Sequence, residues 1–257
     1  MKSYKKTYFY VLTVVCAILL GGISTLILDS NMPTQYAIGL ALVQMSPLCG
    51  LLILCLFNKD FSVFKNLNFS PKTKSKWLLY SILTPIILIT TSTLILTYFG
   101  SSYIPNGYSI SSLVLLTFTS IIGCIGEEIG WRGFLLPQLN KEKSLLASSI
   151  LTGIFWGAWH FGKISLYGIV GYLLFIILIS EFSIIMSWIY ANTNKNLFLM
   201  IVFHLSINLT SIAVLNKREG VPFYIISCLI SAVICLAIVM NNKKLFFNIL
   251  STQNEEK

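Results

Sequence analysis

Charged residues are scarce in this sequence. Asp, Glu, Lys and Arg make up 11% of the 257 residues, against roughly 25% in an ordinary soluble domain, whereas hydrophobic residues make up 56%. This balance excludes an ordinary soluble protein and predicts an all-α, polytopic membrane protein. Apolar runs of about 20 residues, enough to cross roughly 30 Å of hydrocarbon, predict a bundle of about eight transmembrane helices. The predicted spans are 8–28, 36–57, 77–99, 113–137, 145–162, 167–190, 196–215 and 222–241.

Cysteine motifs and internal repeats are also missing. No C-x-x-C occurs, and the six cysteines are scattered through the apolar runs, so we interpret them as small apolar residues and predict no disulfide framework. With no repeat, low-complexity tract or soluble segment to divide it, the chain is expected to form a single integral-membrane domain over residues 1–257. The cysteines are Cys16, Cys49, Cys55, Cys124, Cys228 and Cys235.

The net charge of +9 does not indicate nucleic-acid binding, because the cations are concentrated in loops on one side of the predicted membrane. If the N-terminus is inside, only Lys163, Lys217 and Arg218 lie outside, and Arg132 lies within a span. The positive-inside rule therefore predicts that both termini are cytoplasmic, at the plasma membrane if the source is a bacterium. The lysine-rich loop 58–76 is expected to contact anionic lipid. The cytoplasmic cations are Lys2, Lys5, Lys6, Lys59, Lys65, Lys72, Lys74, Lys76, Lys141, Lys143, Lys195, Lys243, Lys244 and Lys257.

A few ionisable residues lie within the predicted spans. Each costs at least ~2.5–3.5 kcal/mol at bilayer depth, so each needs a structural or functional reason. Both histidines of the chain are in this group, which excludes a loop position for either. The residues are Glu127, Glu128, Arg132, His160, Glu181 and His204.

Helical spacing places several of these side chains together. Glu128 and Arg132 are four residues apart, so they share a helix face and can pair, whereas Glu127 is rotated by about 100° from Glu128. His204 and Asn208 are also four residues apart, so an imidazole and an amide point the same way. These groups are either a functional constellation or interhelical ion pairs and hydrogen bonds that only hold the bundle together.

Two further residues are placed less directly by spacing. His160 ends a helix face that carries Trp156, and the helical rise puts it deeper than the other polar groups. Only a tilted helix, or one that begins late near residue 145, brings it level with them. Glu181 has no spaced partner, so it is either a counter-charge to Arg132 or part of a cavity wall.

Three motifs in chain order resemble those of the CPBP intramembrane proteases, the CAAX-protease and bacteriocin-processing (Abi) family. E-E-x-x-x-R covers Glu127 to Arg132, and H-x-x-x-N covers His204 and Asn208. The middle motif, F-x-x-x-H, departs from the family because Trp156 stands where Phe is usual, and we interpret this as a change at a packing position. The motif-bearing core spans about 113–210.

The resemblance implies an eight-helix intramembrane endopeptidase that acts on a peptide or protein substrate. Carried over by position, Glu127 is the general base and His160 helps to activate water, while His204 and Asn208 complete the site. Glu128 and Arg132 support them, as does Trp156 by packing. A desolvated carboxylate is a better base near neutral pH, and donors in a dry site stabilise an oxyanion strongly.

Two mechanisms are compatible with these residues. In one, His160, His204 and Glu127 hold Zn²⁺ with an open position for water. In the other, which we favour, there is no cofactor, Glu127 and His160 activate water directly, and His204 and Asn208 form the oxyanion site. The zinc-protease pattern H-E-x-x-H is absent, and Asn is a poor zinc ligand.

A non-enzymatic function is the alternative. A bacteriocin-immunity protein or a transporter would use the same charges as a structural network or an ion path. A transporter would also show repeats with matching broken helices, which the sequence lacks, and an ion path does not need the histidine–asparagine pair. In a bacterial source, a peptide precursor is a better candidate substrate than a prenylated CAAX protein.

Overall fold

The computed structural model describes residues 4–28, 33–100, 109–215 and 220–248. Twelve α-helices and two π-helical turns make up this part of the chain. The α-helices are α1 (Tyr4–Ile27), α2 (Pro33–Gln44), α3 (Ser46–Asn58), α4 (Ser62–Lys65), α5 (Ser75–Tyr98), α6 (Ile110–Gly130), α7 (Leu136–Leu139), α8 (Leu145–Trp159), α9 (Lys163–Asn192), α10 (Leu197–Thr210), α11 (Val221–Asn241) and α12 (Lys243–Phe247). The π-helical turns are Trp131–Leu135 and Ser211–Leu215.

Seven helical stretches in the described residues are long and apolar enough to cross a membrane. The predicted all-α membrane bundle is therefore confirmed, and the chain is an integral membrane protein. The remaining predicted span, the fifth in chain order at 145–162, is α8, whose 15 residues extend only about 22 Å. The seven stretches are Lys5–Ile27, Ala37–Asn58, Ser75–Tyr98, Ile110–Leu139, Lys163–Asn192, Leu197–Leu215 and Val221–Asn241.

The predicted second span is interrupted. Helices α2 and α3 meet at Met45, and Pro47 lies in the first turn of α3, where a missing N–H costs nothing. Glycines of α6 pack directly on this break, because a Cβ on Gly130 would lie 2.5 Å from Cβ of Pro47, and one on Gly126 would lie 2.6 Å from Sδ of Met45. The close approach fixes the position of the end of α6, which carries the adjacent glutamates Glu127 and Glu128.

Glycines also allow α8 and α9 to pack closely against each other. A Cβ on Gly153 would lie 2.3 Å from Cα of Ser180, and one on Gly157 would lie 2.9 Å from Cα of Ile176. Small residues let membrane helices approach backbone to backbone and gain van der Waals contact that lipid cannot replace. The short α8 is therefore held against a neighbour that spans the bilayer.

The loops predicted to share one side of the membrane lie at one end of the bundle. Lys6 of α1 donates a 2.5 Å hydrogen bond to Glu142, in the turn before α8, and this bond lowers the pKa of the Glu142 carboxyl. The loop before α5 meets the turn before α10, where the Leu197 amide donates to the Asn68 carbonyl at 2.7 Å. The predicted positions of Lys2, Lys217, Arg218 and Lys257 lie outside the described residues.

Candidate active site

Glu127 and Glu128 lie in the last turn of α6, and both side chains are completely buried. The chain continues into the π-helical turn Trp131–Leu135, which carries Arg132. Such turns insert an extra residue into a helix and are frequent at functional sites. Adjacent positions on a helix face different ways, so the two carboxylates have separate sets of partners.

Glu128 is the centre of an ion cluster. Nη1 of Arg132 donates to Oε1 of Glu128 at 3.0 Å, as the four-residue spacing predicts. Nδ1 of His204, from α10, lies 2.8 Å from the same oxygen. The Arg132 guanidinium also stacks on the ring of Trp156, with its carbon 4.2 Å from the ring centroid. A buried carboxylate is thus bonded by groups from two helical segments, and its arginine partner lies against an aromatic face.

Glu127 makes a single contact of a different kind. Its Oε2 accepts a 2.7 Å hydrogen bond from Nε1 of Trp156. Its Oε1 is buried and has no hydrogen-bond partner among the residues that the structure describes. One oxygen of Glu127 is therefore oriented by the indole, and the other is free to accept a hydrogen bond. Oε2 of Glu128 likewise has no hydrogen-bond partner among the described residues, but Oε1 of Glu128 is bonded by Arg132 and lies against His204.

The role of Trp156 differs from our interpretation of the sequence. We treated the Trp156 substitution as a change at a packing position, yet its indole N–H holds Glu127, which the phenyl ring usual at this position cannot do. Its ring also makes an edge contact with His204, with 5.0 Å between the centroids. Trp156 is thus part of the polar site as well as of its apolar wall.

Two pairs spaced by four residues face each other between α6 and α10. Glu128 lies opposite His204, and Cys124 lies opposite Asn208, whose Nδ2 is 3.5 Å from Sγ of Cys124. Our interpretation of the cysteines as apolar filling missed this position, although Cys124 shares the helix face of Glu128. A thiol is a weak acceptor, so the Asn208 amide is only weakly satisfied.

His160 lies at the edge of this cluster. It lies in the turn that follows the last residue of α8, so our exclusion of a loop position is wrong for this histidine. Its Nδ1 is 2.9 Å from the Trp156 carbonyl oxygen. The ring packs between Trp159 and Phe175, with centroid distances of 4.6 and 5.1 Å. His160 thus contacts the backbone of Trp156, and the indole of Trp156 in turn bonds Glu127.

Glu181 belongs to a different contact. Its carboxylate accepts a hydrogen bond from the Ser231 hydroxyl of α11, while Arg132 is paired with Glu128. The first of our two alternatives for Glu181, a counter-charge to Arg132, is therefore wrong. Glu181 is an interhelical acceptor between α9 and α11.

The side chains of the zinc alternative do not form a metal site as they are placed. Within the described part of the chain, no three His, Cys, Asp or Glu residues are positioned to hold a metal ion. The Nδ1 atoms of His160 and His204 lie against the Trp156 carbonyl and the Glu128 carboxylate, and Glu127 accepts from the Trp156 indole. Each candidate ligand is thus oriented by a different partner.

Comparison with known proteins shows what this region is similar to. Residues 109–210, which contain the whole cluster from Cys124 to Asn208, match the family model described as Type II CAAX prenyl endopeptidase Rce1-like. The chain is also 32% identical over 155 residues to CAAX prenyl protease 2 of Methanococcus maripaludis. The aligned part is 55% of each protein, so the chain spans about half the length of that relative. The segment that carries the three motifs is therefore similar to the Type II CAAX prenyl endopeptidase Rce1-like family, in agreement with the sequence resemblance.

Proposed function

We propose that this protein is an intramembrane endopeptidase that hydrolyses a peptide bond with a water molecule activated by Glu127. The observation that carries the proposal is the environment of this carboxylate. It is completely buried, Trp156 holds one oxygen, and the other oxygen has no partner among the described residues. A base that is oriented, desolvated and still open on one side is what attack by water requires.

The neighbouring groups have supporting roles in this mechanism. Glu128 is neutralised by Arg132 and His204, so it does not compete with Glu127 for the proton of the water. His204 and Asn208 lie on one helix face and stabilise the oxyanion. The Asn208 amide now contacts the thiol of Cys124, and a developing oxyanion is a far stronger acceptor. His160 acts from the end of α8 by assisting the activation of water.

The substrate class follows from the location of the site. A site that is closed within a membrane bundle suits a peptide or a protein segment that enters the bilayer. The relative from Methanococcus maripaludis is named a prenyl protease, which makes lipidated protein tails one candidate class and short peptide precursors the other. The non-enzymatic alternative, immunity or transport, is not favoured, because both comparisons lead to peptidases.

The proposal is tested with purified protein in lipid nanodiscs and a library of quenched fluorescent peptides. We expect cleavage of a subset of peptides that a membrane-permeant chelator does not inhibit, with less than one metal ion per chain in the active sample. His204→Gln should retain more activity than His204→Ala, because an amide still donates to an oxyanion. Stoichiometric zinc, lost together with activity on chelation and restored on its return, would overturn the metal-free mechanism.

Orientation is a separate part of the proposal. We place both termini and the loop 58–76 in the cytoplasm, because the lysines are concentrated at that end of the bundle. A cysteine at position 72, in a variant that lacks the native cysteines, should be labelled in inverted membrane vesicles and protected in intact cells. Labelling of this residue only from outside the cell would show that the protein has the opposite orientation.

A further inference from the structure

A cavity of about 440 Å³ lies at the lysine-bearing end of the bundle, apart from the candidate active site. Small-molecule sites in proteins commonly occupy roughly 300–1,000 Å³. Its wall combines the cations Lys5, Lys141 and Lys195 with apolar residues such as Leu54 and Phe134. The cavity therefore suits a ligand with a charged part and an apolar part.

The cavity lies at the depth where the membrane-crossing stretches begin and end. Stretches begin at Lys5 and Leu197, and another ends at Asn58; all three residues line the cavity. Positions at the ends of apolar spans lie near the lipid headgroups, because each span covers the hydrocarbon thickness. The charged part of a lipid molecule is therefore available at this level.

The charged residues that line the cavity favour the binding of an anion. Asp60 is the acidic residue among the lining residues, and it is outnumbered by three lysines. Hydrogen bonds from Ser62, with a smaller effect of the Lys5 charge, lower the pKa of Asp60, so its carboxylate stays ionised and offsets one of the three lysines. Glu142, near Lys141 in sequence, is paired with Lys6. The field within the cavity is consequently positive.

Lys195 adopts a backbone conformation that Asn194 and Lys59 share, which provides a matched control for a substitution here. Lys195 has φ 57, in the left-handed region that favours glycine, and its amide donates to the Tyr190 carbonyl at 2.9 Å. Glycine would provide this conformation with less strain, and Lys195 is one of the residues that line the cavity. Lys59 has a similar φ of 50 and does not line the cavity.

Aromatic side chains near the cavity are exposed on the surface of the bundle. Phe57, at the end of α3, is 79% exposed, and Phe61 is 44% exposed and stacks on Phe64. Exposed apolar rings at the end of a membrane span are expected to contact lipid rather than water. Both residues are neighbours in sequence of residues that line the cavity, Asn58 and Asp60.

We propose that this cavity binds the headgroup of an anionic phospholipid, with its phosphate held by Lys5, Lys141 and Lys195. Basic pockets at the cytoplasmic ends of membrane helices are suited to such headgroups, and each lysine near the surface contributes attraction. The proposal is independent of the proposed peptidase activity, because none of the candidate catalytic residues lines the cavity.

The test compares Lys195→Gly with Lys59→Gly, two substitutions that relieve the same kind of backbone conformation. Both are made in full-length protein in nanodiscs of phosphatidylcholine, with or without phosphatidylglycerol. Phosphatidylglycerol that remains bound is measured by native mass spectrometry, and the thermal unfolding midpoint is measured in parallel. Lys195→Gly should weaken retention about fivefold, and Lys141→Gln with Lys195→Gly about twenty-five-fold. Lys59→Gly should retain the lipid like the unsubstituted protein.

Several results would overturn the proposal. An equal loss in both glycine variants would indicate general attraction between lysines and the membrane surface. A rise in the unfolding midpoint with inorganic phosphate as large as that with phosphatidylglycerol would identify a site for soluble anions. Unchanged retention in the double variant would exclude the cavity as the lipid site.

Discussion

Replacing Glu127 with glutamine is expected to reduce peptide turnover by about 10²–10⁴-fold without unfolding the protein. Glutamine has the same shape, and its carbonyl oxygen still accepts the indole N–H of Trp156, which now bonds Oε2 of Glu127 at 2.7 Å. The contact that orients this side chain is therefore kept, while the ability to take a proton from water is lost. The loss should be in kcat, measured with a peptide identified from the library.

Glu142→Gln is the matched control for this variant. It also removes one glutamate charge, but from a half-exposed side chain that pairs with Lys6 in the turn before α8. We expect normal turnover from it. If Glu127→Gln cleaves the peptide at the rate of the unsubstituted protein, the carboxylate is not the base. If both variants lose activity equally, the loss results from removing a negative charge anywhere in the protein and not from removing the base.

Replacing Arg132 with methionine is expected to destabilise the protein by about 3–5 kcal/mol, the cost of leaving a buried charge without its partner. Arg132 pairs with the completely buried Glu128, and its guanidinium stacks on Trp156. Methionine fills much of the volume but supplies no charge, so the carboxylate retains only His204. The change should appear as a lower unfolding midpoint and a lower yield of folded protein in nanodiscs.

A second substitution separates charge from packing. In Glu128→Gln with Arg132→Met the carboxylate charge is removed as well, so much of the lost stability should return. If the double variant is as unstable as Arg132→Met alone, the arginine stabilises the bundle by stacking on Trp156 rather than by neutralising Glu128. Lys243→Met, which removes an exposed cation outside the cavity, provides a baseline for the loss of one positive charge.

The contacts within one helix could be predicted from the sequence, because helical geometry is fixed by spacing. The Glu128–Arg132 ion pair follows from four residues of separation, and the shared face of His204 and Asn208 follows in the same way. The membrane bundle likewise follows from the length and composition of the apolar runs. The break between α2 and α3 at Met45 was not predicted, since the surrounding residues form one continuous apolar run.

Contacts between helices depend on packing that spacing does not specify. The bond from Trp156 to Glu127 requires α8 to approach α6, and the bond from Ser231 to Glu181 requires α11 to lie on α9. The depth estimate for His160 assumed a straight helix across the membrane. In the structure α8 ends at Trp159 and His160 begins the turn that follows, so its ring contacts other aromatic rings instead of the carboxylates.

The length of α8 has a consequence for the lipid around the protein. The helix covers about 22 Å, whereas the hydrocarbon layer is roughly 30 Å thick. Ile150 and Ile154 on its outer side are partly exposed, so acyl chains border this short helix directly. A short span is accommodated by local thinning of the bilayer, by flanking side chains that reach to the interface or by oligomerisation, and hydrophobic mismatch costs a fraction of a kcal/mol for each Å. Lipids with long acyl chains will therefore oppose the native packing of α8, which carries Trp156 and positions His160, and lipids with shorter chains will favour it.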